Sequence, residues 1–125
     1  MKKSIYLLTT IFTLLFITSC SSDDDKGSVS ILGKWYIHSF IYEGETELHE
    51  NECATKKDQV EFKDNGSIVK YIYDEDCDLY SNQQEWSKNG NTLIIDGEEF
   101  SVIELTNSTL KLKDLGYGQE TILKR

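Results

Sequence analysis

Three cysteines and two histidines are the residues best suited to covalent, metal or proton-transfer chemistry in this chain. They form no recognisable catalytic pattern. Acyl transfer needs a nucleophile, a base and an orienting acid brought together. Neither a Gly-x-Ser-x-Gly turn nor a His-Glu-x-x-His helix occurs in the sequence. His38 falls in a strand-like run and is expected to be half-buried. His49 falls in a polar stretch and is expected to be solvated. Asp74-Glu75-Asp76-Cys77-Asp78 offers the hard oxygen ligands that suit Ca²⁺. An EF-hand loop needs glycine at its sixth position, and this segment has none, so the cluster reads as a solvated loop. The expectation is a non-enzymatic protein with no cofactor and no metal.

Cys20 has a different chemistry. Met1-Lys2-Lys3 is a basic start, and Ile5 to Ile17 is an apolar run interrupted only by Thr9, Thr10 and Thr13. That run is short for a bilayer span and suits the apolar segment of a signal peptide. Ile17-Thr18-Ser19-Cys20 follows at once and resembles the bacterial lipobox, in which an aliphatic and two small residues precede the cysteine that is lipidated and becomes the new N-terminus. Residues 1–19 are therefore expected to be a lipoprotein signal peptide, with Cys20 as the lipidation site. Each buried acyl methylene contributes about 0.8 kcal/mol, so two or more chains hold a protein on a membrane stably.

Residues 20–30 read as a polar, acidic tether that lacks the apolar surface to fold. Within it, Ser22-Asp23-Asp24-Asp25 resembles the surface-export signal of lipoproteins from the Bacteroidetes. The expected address is the outer membrane, with the domain on the cell surface or else facing the periplasm. Cleavage after Ser19 removes two lysines and no acids, which leaves 11 cations against 22 acids, a net charge of −11. A surface this acidic excludes nucleic acid as a partner, because phosphate contacts require Lys and Arg. It is also repelled by anionic lipid, so membrane contact falls to the lipid on Cys20.

Residues 31–125 form the folded domain, and the chain there divides into short β-like runs separated by turn residues. Eight strands are expected, over Gly33–Tyr42, Gln59–Lys63, Ser67–Tyr73, Gln84–Lys88, Thr92–Asp96, Glu99–Leu105, Thr109–Lys113 and Gln119–Lys124. Glu43–Lys57 reads as a long polar loop. Proline is absent, so no ladder is interrupted and the turns rely on Gly, Asn and Asp. Short connections imply antiparallel neighbours. An up-and-down barrel removes the two open edges of such a meander, and a β sandwich is the alternative. In the first strand, strict alternation groups Trp35, Ile37 and Ile41 on one face and Tyr36, His38, Phe40 and Tyr42 on the other. Both faces are partly apolar, so the pattern does not say which is inside.

The two remaining cysteines and a hairpin check one another. Asp64-Asn65-Gly66 suits a three-residue hairpin loop with Gly66 at the position that needs positive φ. With Asn65 at the centre, Phe62 faces Ile68, and Cys53 and Cys77 lie equally far from the turn. A disulfide between them is expected in a secreted domain, with two buried thiols as the alternative.

These landmarks carry a family resemblance. Gly33-Lys34-Trp35 opens the first strand as the Gly-x-Trp of lipocalins does. The series Cys53, Phe62, Asp64-Asn65-Gly66, Cys77, Trp86, Asn89-Gly90-Asn91, Leu93, Phe100, Leu105 and Leu110 resembles a lipocalin-like lipoprotein family of Bacteroidetes. The resemblance implies a small antiparallel up-and-down barrel and a small hydrophobic ligand. The chain is shorter than true lipocalins and lacks their C-terminal helix and later motifs. The competing functional expectation is a solid barrel that acts as an interaction module for a protein or polysaccharide. In that case an outer aromatic face or the acidic loops would be in contact with the partner.

Replacing Cys20 with Ala should move the protein from the membrane pellet to the soluble fraction, while protease added to intact cells should trim the wild-type domain. Retention of the Cys20→Ala chain on the membrane would contradict the lipid anchor, and full protection in intact cells would contradict surface display.

Overall fold

The computed structural model describes residues 29–125, so the signal peptide, Cys20 and most of the tether lie outside the described residues. Nine strands follow in order: β1 (Gly33–Tyr42), β2 (Glu45–Leu48), β3 (Gln59–Phe62), β4 (Ser67–Tyr73), β5 (Leu79–Asn89), β6 (Thr92–Ile95), β7 (Glu98–Leu105), β8 (Thr109–Asp114) and β9 (Glu120–Lys124). All pairings are antiparallel. The sheet runs β1-β3-β4-β5-β6-β7-β8-β9 and returns to β1, closing an eight-stranded up-and-down barrel. The barrel expected from the sequence is the observed fold, and the sandwich alternative falls away.

The polar stretch after β1 differs from the expectation, because it contains β2. Glu43 and Gly44 both take positive φ, 50° and 82°, so a two-residue turn folds Glu45–Leu48 back onto Ser39–Tyr42. Such a turn matches the twist of the flanking strands. All four residues of β2 are exposed. β2 therefore acts as a flap on β1 rather than a stave of the barrel. Strand β5 also begins at Leu79, ahead of the expected Gln84, because it pairs along the whole of β4.

β1 has a second irregularity with larger consequences. Its register against β9 shifts between Ile37 and Ser39, so Ile37 faces Leu123 while Phe40 faces Thr121. His38 is the extra residue of a bulge. A bulge re-aims the side chains beyond it. Phe40, not Ile41, therefore joins Trp35 and Ile37 on the inner face. His38 is exposed rather than half-buried, with its Nδ1 2.9 Å from the Ser39 hydroxyl.

One end of the barrel is closed by packing. Trp35, Leu93 and Leu110 are fully buried and Phe62 nearly so. Phe62 meets the ring of Trp86 edge-on at 5.3 Å, and the Trp86 indole donates to the Lys63 carbonyl. The segment before β1 covers this end. The Trp35 indole N–H donates to the Ile31 carbonyl at 2.8 Å. The Arg125 guanidinium lies 3.7 Å from the Trp35 ring centroid and donates to the carbonyls of Ser30, Leu32 and Asn107. A guanidinium is suited to this double task, since it stacks on an aromatic face and still presents its N–H groups in the ring plane.

The other end is held by a buried carboxylate. Asp58 is 3% exposed. Its Oδ2 lies 2.6 Å from His49 Nε2, and its Oδ1 accepts the Tyr73 backbone N–H at 2.9 Å. Its own backbone N–H donates to Asn51 Oδ1, and its carbonyl accepts the N–H of Ile37. One residue thus ties the segment after β2 to β1 and β4. His49, expected to be solvated, is half-buried here and packs edge-on against Phe40. Beside this knot, Cys53 and Cys77 form the expected disulfide, with Cα atoms 4.9 Å apart. The hairpin register that served as its check is observed, with Phe62 opposite Ile68.

Asp58→Ala should leave the Tyr73 N–H and the His49 imidazole without their acceptor. An orphaned buried donor costs about 2 kcal/mol, which lowers the melting temperature of a domain this size by roughly 10 °C. Thermal denaturation followed by circular dichroism measures this, and an unchanged midpoint would contradict the assigned role.

Candidate functional site

The barrel interior is not filled from end to end. Above the packed layer lies a cavity of about 190 Å³. Each of the eight barrel strands contributes at least one wall residue, and β2 contributes none. β1 supplies Ile37 and Phe40, β3 Val60 and Phe62, and β4 Ile68 and Lys70. β5 supplies Gln84, β6 Ile95 and β7 Phe100. β8 supplies Leu112, and β9 Thr121 and Leu123. The walls are mainly aliphatic and aromatic, as ligand cavities usually are.

The bulge at His38 helps shape this space. Without it Phe40 would point outward and Ile41 would enter the barrel. The His49 ring against Phe40 and the Asp58 carboxylate behind His49 fix that wall from outside. Lys70 lies between Val60 and Asn82 in the ladder and shares the inward parity of Ile68. It is exposed and lines the cavity, so this residue stands where the cavity meets solvent. It is the one charged residue in the wall. Gln84 lies opposite Ile68, and its amide nitrogen donates to Asp96 at 3.2 Å. A larger recess of about 400 Å³ lies outside, between β2 and Gln119. It is walled mostly by exposed polar side chains and offers no comparable apolar enclosure.

The sequence pointed at none of the polar wall residues. A signal for Lys70 existed, since alternation puts it on the face of Ile68 and Ile72, but a lysine on a strand reads naturally as the solvent side. The acidic cluster is a local structure. Asp74 Oδ1 accepts the backbone N–H groups of Asp76 and Asp78, which shapes the turn around Cys77. The carboxylates of Asp74, Asp76 and Asp78 lie within 4.8 Å of one another, and Asp76 and Asp78 are exposed.

The outer wall of β1, β3 and β4 carries a second group of aromatics. Tyr36, Tyr71 and Tyr73 are each overlain by a lysine, respectively Lys57, Lys34 and Lys56, at 5.2–5.6 Å from the ring centroids. The Tyr71 hydroxyl donates to Glu61 at 2.8 Å, and that bond raises its pKa above the ordinary tyrosine value by favouring the protonated form.

Comparison with known proteins agrees with this architecture. A model of the lipocalin-like domain family matches residues 31–112. A lipocalin-like protein from Bacteroides uniformis has a similar structure, with TM-score 0.62 and 20% identity, over 75% of this chain and 96% of that one. An uncharacterized protein from Bacteroides eggerthii is similar at TM-score 0.61 and 12% identity, over 77% of this chain and 99% of that one. Among curated proteins none matches the chain. The family match spans more than half of the chain and most of the folded domain, so this chain belongs to the lipocalin-like domain family.

Proposed function

We propose that this chain is a lipid-anchored, extracytoplasmic binding module that takes one small, largely apolar molecule into its barrel and catalyses no reaction on it. The observation that carries the reading is the cavity walled by all eight strands. Its volume of about 190 Å³ sets the size of the guest. Sites for drug-sized ligands occupy roughly 300–1,000 Å³, whereas an apolar cavity of about 150 Å³ accommodates benzene. The guest is therefore a single ring or a short chain.

The anchor and the address rest on the lipobox, the tether and the disulfide, which suits an oxidising compartment. If Cys20 holds the membrane, the barrel hangs from its closed end. Ser30, the last residue of the tether, and Leu32, at the start of the domain, are pinned there by Arg125. The mouth at the far end of β1 then points away from the bilayer, toward solutes.

A second reading, a solid interaction module, is favoured by the modest cavity and by the lysine-covered tyrosines on the outer wall. A melting-temperature screen against fatty acids and aromatic metabolites separates the two. A ligand present at about 100 times its Kd stabilises the folded state by about 2.7 kcal/mol, a rise of roughly 10 °C or more for a domain of this length. No shift with any member of the panel would defeat the small-ligand reading and leave the interaction module.

A further inference from the structure

The cavity wall is apolar on every barrel strand except β5, which contributes Gln84, and it contains one cation and no carboxylate. In a chain whose acids outnumber its cations 22 to 13, a lysine without an acidic neighbour in the same wall is a notable placement. Lys34, Lys56 and Lys57 lie over tyrosine rings, and Lys111 pairs with Glu120 at 3.3 Å. Lys70 makes no ion pair among the described residues. Its neighbours across the ladder are Val60 and Asn82, neither of which neutralises it.

We infer that Lys70 selects the guest: the cavity takes a small monocarboxylate, with its apolar body among Ile37, Phe62, Phe100 and Leu123 and its carboxylate on the Lys70 ammonium at the mouth. This rests on the small-ligand reading and narrows it to an anion. The arrangement suits an amphipathic molecule. The apolar part leaves water in a space of about 190 Å³, while the charged end stays at the rim where Lys70 is exposed. A carboxylate seated there keeps partial hydration and gains a charge-assisted hydrogen bond, so it avoids the cost of full burial. A neutral guest of the same shape gains only the apolar term. A divalent cation or an ammonium compound is disfavoured, since the wall offers no acid to either. Solvent access at the rim makes the charge contribution sensitive to salt.

The test uses residues 21–125, which contain every strand, the core and the disulfide. Phenylacetate and 2-phenylethanol share one ring and differ in charge, and their Kd values are read by NMR titration. Phenylacetate should bind at least about tenfold more tightly, the gain from one charge-assisted hydrogen bond at a partly hydrated site. Lys70→Met should remove most of that preference and leave 2-phenylethanol binding unchanged, Lys70→Arg should retain it, and raised salt should shrink it in the wild type. Equal binding of the two probes, or a preference that survives Lys70→Met, would overturn the carboxylate assignment and leave the small-ligand reading standing. No binding of either probe, or of any other single-ring or short-chain compound, would overturn both.

Discussion

A meander of eight strands has two open edges until its last strand bonds to its first. In this protein that task falls to β1, which pairs with β3 near its start and with β9 along its middle. Its far end also carries the flap β2. Among the described residues no other strand bonds to three partners. Closure demands that strands coil, and bulges supply the added local twist. There is one bulge in β1 at His38 and another where β7 shifts register between Val102 and Glu104. The β1 bulge does more than bend the strand. It turns Phe40 inward, and the cavity wall depends on that turn.

The two ends of the barrel are built by opposite means. The closed end relies on large apolar side chains, with Trp35 at the centre and Arg125 as the one polar cover. A domain of this length buries a modest fraction of its surface, so the core cannot be spread evenly. The open end substitutes directional bonds for packing. Asp58 takes two acceptor bonds through its carboxylate, and the disulfide ties its flanking segments. Fixing the rim with hydrogen bonds and a covalent link leaves the space behind it unfilled. A rim held by apolar packing would have used that space.

Much of the architecture was legible in the sequence, and the reasons are local. Asp64-Asn65-Gly66 specifies a hairpin, and its register agreed with the Cys53–Cys77 pairing that two cysteines in a secreted domain suggest. Asp96-Gly97 turns by similar means, with φ of 51° and 81° at the two residues. The flap β2 was not legible, because Glu43-Gly44 lacks the asparagine or aspartate that usually announces such a turn. The inner face of β1 was not legible either, since alternation breaks at a bulge that no residue type marks. Asp58 and Arg125 act across the fold, on partners up to 95 residues away, and nothing in their neighbourhood signals those contacts. Lys70 was misleading rather than silent, because its charge argues for the face opposite to the one it occupies.

The central claim is that the space inside the closed barrel is kept open for a guest. Methyl-resolved NMR of the isotope-labelled domain under xenon pressure tests it most directly, since xenon enters apolar cavities of this size without needing a particular chemistry. The account predicts shifts at the methyls of Ile37, Ile68, Ile95, Leu112 and Leu123, which line the cavity, and none at Leu48 or Ile103 on the outside. Unmoved cavity methyls, or shifts confined to the outer wall, would contradict it.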